Sequence, residues 1–168
     1  MPEKPTLLIV DDEKSTRDGL RAALEERYDV YVADDAKSAM ELMESESFDV
    51  LLTDFRLAGE DGLKLIARAK SLPKPPICIL MTAYGSEELV VDAMKRGAYD
   101  YILKPFKVEE VIHIVQRGLD LQRLQHENIR LKDALSIYKI SEAIATSLSV
   151  EKVLDLVLDA TKIGRAHV

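Results

Sequence analysis

Acidic side chains stand directly after several apolar stretches of the chain. Asp11 and Asp12 follow the run TLLIV, and Asp54 follows the run DVLLT. Carboxylates gathered in one crevice repel one another unless a cation neutralises them, and hard oxygen ligands with room for water suit Mg²⁺. If the fold brings these three side chains together, the sequence therefore predicts a magnesium site.

Two further side chains follow later apolar runs. Thr82 comes after ICILM, and Lys104 comes after YDYIL. The ammonium group of Lys104 is too costly to bury alone, but it can pair with Asp54 and later with phosphoryl oxygens, to which the Thr82 hydroxyl can also donate. Such surroundings suit a carboxylate that accepts a phosphoryl group as an acyl phosphate. Taken singly, an aspartate after a strand is more often a helix N-cap or a turn residue.

These residues have to be positioned by a repeated unit of strand and helix. Apolar runs of about five residues, the usual strand length, alternate with segments in which apolar residues recur at spacings of three and four. The runs are residues 6–10, 29–33, 49–53, 77–81 and 99–103. Strands that are apolar almost throughout favour an α/β fold with a parallel sheet covered on both faces. In a doubly wound sheet of this kind, ligands bind beyond the carboxyl ends of the strands, where the residues above are placed.

Composition narrows the classes of function. The 168 residues carry a net charge of -7, so the chain has no general attraction to phosphate backbones and we expect no nucleic-acid contact. Cys78, the only cysteine, lies inside an apolar run, which excludes an internal disulfide and a thiolate metal cluster. No apolar run approaches the roughly 20 residues of a membrane helix. We therefore expect a cytoplasmic protein without membrane contact.

Four segments resemble the signature segments of the response-regulator receiver domain of two-component signalling, especially those of the nitrogen-regulator type. The segments are LLIVDDE, LLTDFRLAGEDG, ILMTAYGSEE and GAYDYILKPF, in the order and spacing of that family. The resemblance covers residues 1–118. It implies a flavodoxin-like (CheY-like) fold, with a doubly wound five-stranded parallel sheet of strand order 2-1-3-4-5. It also implies a cis peptide bond before Pro105.

The same resemblance assigns the acidic residues their roles. Asp54 would be the phospho-acceptor. Asp11 and Asp12 would form the acid pair that holds Mg²⁺ together with Asp54. Arg56 would lend its backbone carbonyl to the same ion. The implied cofactor is thus Mg²⁺, and the implied partner is a sensor histidine kinase or a phosphotransfer protein.

Three more residues match positions with known roles in that family. Lys104 matches the phosphate-binding lysine, and Thr82 and Tyr101 match the switch pair. Thr82, by moving toward a new phosphoryl group, would vacate space that the Tyr101 ring can occupy, and this would repack the surface of the fourth helix, fifth strand and fifth helix. The implied function is a phosphorylation-controlled switch that promotes only its own phosphoryl transfer and dephosphorylation, rather than an enzyme.

A helical extension follows the part that resembles a receiver. Its apolar residues fall at alternating steps of three and four, with an asparagine at the remaining position of the heptad pattern. These residues are Leu121, Leu124, Asn128, Leu131, Leu135 and Tyr138. The pattern predicts a parallel, dimeric coiled coil within residues 119–145, and a solvated linker helix is the alternative. Gly118 would mark a flexible point before this segment.

The last two segments carry weaker signals. Residues 146–162 resemble the opening helix of a GAF domain, with Ser149 as its N-cap. Residues 163–168, IGRAHV, resemble the translation of a sequencing adapter, so we expect an artefactual tail on a truncated chain, with a native tail as the alternative.

Two other functions compete with the receiver hypothesis. One is a phosphorylation-independent dimerisation scaffold, which would show the same oligomeric state with and without a phosphodonor. The other is an aspartyl-phosphate phosphatase, in which Asp11 would be the nucleophile and Glu13, two residues on, the acid. The combined motifs around Asp54, Thr82 and Lys104 favour the receiver.

Overall fold

The structure, a computed structural model, describes the backbone of residues 3–166 and the side chains of residues 3–160. Strands and helices alternate along the described chain. The strands are β1 Thr6–Val10, β2 Asp29–Ala33, β3 Val50–Asp54, β4 Ile77–Thr82 and β5 Asp100–Leu103. The helices are α1 Lys14–Leu24, α2 Ala36–Ser45, α3 Gly62–Lys70, α4 Glu87–Lys95 and α5 Val108–Ala166. The predicted strands are confirmed, and their ends differ from the prediction by at most one residue.

The strands form one parallel sheet in the order β2-β1-β3-β4-β5. This order confirms the predicted doubly wound, flavodoxin-like fold. The strand order reverses between β1 and β3, and the ends of these two strands are in register because Val10 pairs with Thr53. Asp11 and Asp54, the next residues of the two strands, therefore lie side by side at the edge where such sheets bind ligands.

Buried apolar side chains cover both faces of the sheet. On one face, Leu51 belongs to a cluster with Ile66 of α3. On the other face, Leu52 belongs to a cluster with Leu24 of α1 and Val111 of α5. Burying one such side chain contributes about 1.5–3 kcal/mol. The central strands are thus held firmly, and so are the residues at their carboxyl ends.

The chain consists of two compact units, the first ending at Gln122 and the second beginning at Arg123. The first unit contains the sheet, the helices α1 to α4 and the beginning of α5. In the second unit, each residue from Arg123 to Ala160 is exposed. Among the helices of the described chain, none is both long and apolar enough to cross a membrane.

Two predictions about α5 are wrong. Ser149 is not an N-cap, because it lies inside the helix and its hydroxyl donates to the carbonyl oxygen of Ala145 at 3.0 Å. Gly118 is not a flexible point, because it is buried within the helix. A Cβ added at Gly118 would lie 3.0 Å from Cγ2 of Ile77 and 3.2 Å from the ring of Tyr99. The glycine therefore permits close packing of α5 on the sheet.

The remaining divisions of the C-terminal part stay predictions. Residues 119–145 and 146–160 are helical and form part of α5, which is compatible with either a coiled coil or a solvated helix. The expected tail, residues 163–168, lies outside the side chains that the structure describes.

Candidate functional site

Three carboxylates meet where β1 and β3 end. Asp11 is fully buried, the side chain of Asp54 is 13% exposed, and Asp12 is exposed. One oxygen from each of the three lies within 4.8 Å of the others. The structure thus brings together the residues that the sequence predicted as metal ligands, and their donor set of hard oxygens, with one residue open to water, fits Mg²⁺.

Asp11 is held rigidly by its neighbours. Its Oδ1 accepts a hydrogen bond from the backbone N–H of Glu13 at 2.9 Å, and its Oδ2 accepts one from Nζ of Lys104 at 2.9 Å. The guanidinium group of Arg17 donates to the Asp11 backbone carbonyl at 2.6 Å. Each carboxylate oxygen thus accepts one hydrogen bond and keeps a further lone pair, and the residue is fixed in one orientation.

Lys104 links two of the three acids. Besides its bond to Asp11, its ammonium group lies 3.3 Å from Oδ1 of Asp54. Its backbone N–H donates to the Thr82 carbonyl at 2.8 Å, and the peptide bond to Pro105 is cis, as predicted. Burial alone would lower the pKa of Lys104, but the hydrogen bonds and negative charges of Asp11 and Asp54 outweigh it and raise that pKa. The ammonium group therefore stays charged.

One ammonium group does not fully neutralise the site. The pKa of Asp54 is raised, first because burial disfavours the charged carboxylate and next because the charge of Asp11 is close. Lys104 acts in the opposite direction and does not outweigh these two effects. The site therefore retains an excess of negative charge that a further cation would relieve.

The Thr82 hydroxyl is engaged with the loop that follows β4. The side chain is buried, and Oγ1 accepts a hydrogen bond from the N–H of Tyr84 at 3.0 Å. The same hydroxyl donates to the Tyr84 carbonyl at 3.2 Å. Tyr101, on the neighbouring strand β5, is half-buried and packs against the apolar cluster that includes Ala93 of α4. Thr82 and Tyr101 thus lie on adjacent strands, while their switching role stays a prediction.

Arg56 and Tyr84 join the loops that follow β3 and β4. The guanidinium carbon of Arg56 lies 4.6 Å from the centre of the Tyr84 ring, and both side chains are exposed. Because the backbone of Tyr84 also holds the Thr82 hydroxyl, this cation–π contact connects the loop after Asp54 with the predicted switch residue. This contact involves the Arg56 side chain and not its backbone carbonyl, whose use as a metal ligand stays a prediction.

We expect a measurable coupling between Arg56 and Tyr84. Exposed cation–π pairs are worth about 0.5–1 kcal/mol. Urea unfolding of Arg56→Met, Tyr84→Leu and the double variant should give a coupling energy of that size, and Arg56→Lys should retain part of it. Strictly additive effects of the two substitutions would contradict a contact in solution.

Gly62 is a positioning residue that the sequence did not indicate. It is the first residue of α3, after the N-cap Asp61, and its N–H donates to the carbonyl oxygen of Phe55 at 2.7 Å. A Cβ added at Gly62 would overlap the backbone carbonyl oxygen of Asp54 and lie 3.2 Å from Cα of Phe55. The pair Asp-Gly looks like an ordinary turn in the sequence, and only the fold shows that another backbone passes this close.

Known proteins with similar sequences include regulators. Regulatory protein AtoC of Escherichia coli (strain K12) is 38% identical over 131 residues, which are 77% of this chain and 28% of that protein. The chain therefore spans less than a third of the length of this relative.

Solved structures of two other proteins are also similar to this chain. The receiver domain protein (CheY-like) of Methanospirillum hungatei JF-1 is 31% identical with a TM-score of 0.70, covering 73% of this chain and 99% of that one. NtrX from Brucella abortus is 32% identical with a TM-score of 0.71, covering 76% of this chain and 29% of that one. The model of the response regulator receiver domain family matches residues 7–116. The chain thus belongs to the response regulator receiver domain family, as its four signature-like segments predicted.

Proposed function

We propose that Asp54 accepts a phosphoryl group from a sensor histidine kinase or a phosphotransfer protein, and that this event switches a dimeric output. The observation that carries the proposal is the Lys104 ammonium group, which contacts both Asp11 and Asp54 at the point where the strand order reverses. A cation beside two acids is suited to a reaction in which negative charge increases on nearby oxygens. Membership of the receiver family supports the same conclusion.

In the proposed transfer, a carboxylate oxygen of Asp54 attacks phosphorus. The bond between phosphorus and the donor's imidazole nitrogen breaks, and the electron pair stays on that nitrogen. The nitrogen then takes up a proton from solvent. Lys104 stabilises the charge on the phosphoryl oxygens, while Asp11 keeps the ammonium group in place. Because Asp54 ends a buried strand, its carboxylate is positioned before the donor arrives.

Asp11, Asp12, Asp54 and the backbone carbonyl of Arg56 would hold Mg²⁺. When bound, the ion supplies positive charge beside the oxygens that become more negative during transfer. The close approach of the three carboxylates and the excess negative charge of the site support this assignment.

The proposed switch uses Thr82 and Tyr101. After transfer, the Thr82 hydroxyl would turn from the loop after β4 to a phosphoryl oxygen, and the Tyr101 ring would move into the space it leaves. The affected surface, formed by α4, β5 and the beginning of α5, exposes apolar side chains: Val91 is 50% exposed, Met94 47% and Leu103 46%. Such a patch is suited to contact with a second copy.

A groove beside the site supports docking of a phosphodonor protein. It has a volume of about 580 Å³, is mainly apolar and is lined by Leu20 of α1, Phe106 and the side chain of Lys104. A helix that carries the donor histidine could lie in this groove and reach Asp54 from there.

The phosphatase hypothesis receives no support from the geometry. Asp11, its nucleophile, is fully buried, and both of its carboxylate oxygens are engaged by Glu13 and Lys104. A nucleophile needs an accessible oxygen, and Asp54 is the acid of this pair that has one.

The test is phosphorylation of the full chain by acetyl phosphate with Mg²⁺, followed by intact-mass spectrometry. We expect the mass to rise by one phosphoryl group in the wild type and in Asp34→Asn, and to stay unchanged in Asp54→Asn. Asp34 is a matched control because it is an exposed aspartate directly after β2. An unmodified wild type that still dimerises would favour the phosphorylation-independent scaffold instead.

A further inference from the structure

One stripe of α5 within the second unit exposes large apolar side chains. Leu124 is 56% exposed, Leu131 70%, Leu135 52% and Tyr138 65%. In the described part of the chain, nothing covers this stripe. A helix with such a face is stable in water only when another surface packs on it.

The polar residues of this segment indicate what packs there. In the heptad pattern, Leu124, Leu131 and Tyr138 take d positions, and Asn128 and Leu135 take a positions. An a residue of a parallel dimer faces the same a residue of the other chain, so Asn128 would meet its own copy and both amides would be hydrogen-bonded. In an antiparallel pair, a residues pack against d residues, and a buried amide would be left against an apolar side chain.

Charges beside the stripe favour the same arrangement. Glu127 takes a g position, and Lys132 takes the e position five residues later. In a parallel dimer, a g residue of one chain lies beside this e residue of the other chain. Both side chains are exposed. Neither has a hydrogen bond or ion pair among the described residues. Two-fold symmetry would form the oppositely charged pair twice, on both sides of the Asn128 layer.

We propose that the face of residues 124–138 is the docking surface for a second copy of this chain, parallel and in register. Asn128 then faces Asn128 of the second copy, and Glu127 pairs with Lys132 of the second copy. This inference rests on the dimerisation part of the proposed function and specifies its surface, orientation and register. It does not rest on phosphoryl transfer to Asp54.

The heptad pattern also defines where the surface ends. The next a and d positions after Tyr138 are Glu142, Ala145 and Ser149, which cannot continue an apolar seam. At about 100° of rotation per residue, Ile144 lies roughly half a turn away from the stripe. Ile144, although 55% exposed, is therefore outside the proposed interface.

Single cysteines in the full chain test the orientation. Cys78 is fully buried and its thiol pKa is raised to about 12 by burial, so an introduced cysteine is the only reactive one. With copper–phenanthroline as oxidant, we expect Leu131→Cys to form an intermolecular disulfide in high yield, because d residues meet across the dimer axis. Asp133→Cys, two residues on and facing outward, and Ile144→Cys should give little. Equal yields at Leu131 and Asp133, or a higher yield at Ile144, would overturn the proposal.

Charge reversal tests the register without altering the apolar face. Sedimentation equilibrium of Glu127→Lys and of Lys132→Glu should each show dimer dissociation constants raised on the order of tenfold. The double variant should return to within about threefold of the wild type, because the pair is restored with its signs exchanged. A double variant whose dimer is weakened by the combined effects of the two single substitutions would exclude this register. A wild type that stays monomeric with and without acetyl phosphate would exclude the surface.

The experiments distinguish a failure of the proposed docking surface from a failure of the proposed phosphoryl transfer. Each of these variants retains Asp54, so its phosphorylation by acetyl phosphate should match that of the wild type. Loss of cross-linking with normal phosphorylation would remove the docking surface alone. Cross-linking at Leu131 in a chain that acetyl phosphate does not modify would remove phosphoryl transfer alone.

Discussion

Lys104→Met is expected to lower the free energy of unfolding at neutral pH by about 3 kcal/mol, measured by urea unfolding in the absence of divalent ions. The substitution removes the ammonium group that lies 2.9 Å from Asp11 and 3.3 Å from Asp54. Asp11 has no exposed surface, so water cannot replace the lost partner. The two carboxylates would then face each other without a neutralising charge.

Lys107→Met is the matched control for this prediction. Lys107 lies three residues further along the chain and is exposed, so its substitution should change the unfolding free energy by no more than about 0.5 kcal/mol. Addition of Mg²⁺ should stabilise the Lys104 variant more than the wild type, because the variant has no ammonium group that competes for the same oxygens. The prediction fails if the two methionine variants are equally stable, or if Mg²⁺ stabilises neither protein.

Gly62→Ala is expected to have the second largest effect. The new methyl group would overlap the Asp54 carbonyl oxygen, and this backbone atom cannot move aside without displacing the end of β3. We expect a loss of at least about 2 kcal/mol in unfolding free energy. We also expect a roughly 10- to 100-fold slower reaction with acetyl phosphate, because small displacements of a reacting group have effects of that size.

Gly19→Ala provides the stability control for the glycine prediction. Gly19 lies in the middle of α1, and a Cβ added there meets nothing within 4 Å. Alanine should therefore stabilise the protein by about 0.5–1 kcal/mol, since it lowers the entropy of the unfolded chain and adds no contact. If the two alanine variants shift the unfolding midpoint in the same direction, the close approach of Gly62 to Asp54 does not exist in solution.

The sequence was sufficient for the features that depend on local pattern. Apolar runs of strand length predicted the sheet, and their parallel arrangement predicted that Asp11, Asp54 and Lys104 would meet at one edge. In these cases, position along the chain and position in the fold are related by a simple rule, because the carboxyl ends of parallel strands lie on the same side.

Features that depend on the close approach of distant segments could not be predicted from the sequence. Gly62 and Gly118 looked like turn or hinge residues, yet one touches the backbone of Asp54 and the other packs against Ile77. The prediction that Ser149 is an N-cap was wrong for a different reason. A serine before a run of apolar residues at helical spacing is a common start of a helix, but inside a long helix its hydroxyl donates to a carbonyl of the preceding turn instead.

The two hydrogen bonds of Thr82 limit how much its movement alone can achieve. Its hydroxyl has one hydrogen, which already donates to the Tyr84 carbonyl, so a phosphoryl oxygen offers an exchange of acceptors. A bond to a charged acceptor exceeds one to a neutral acceptor by about 1 kcal/mol, which changes a two-state ratio about fivefold. Inverting a population from 1:99 to 99:1 takes about 5.5 kcal/mol. In the proposed switch, most of the driving force would therefore come from groups other than Thr82, and the proposed contact with a second copy is one source that grows with protein concentration.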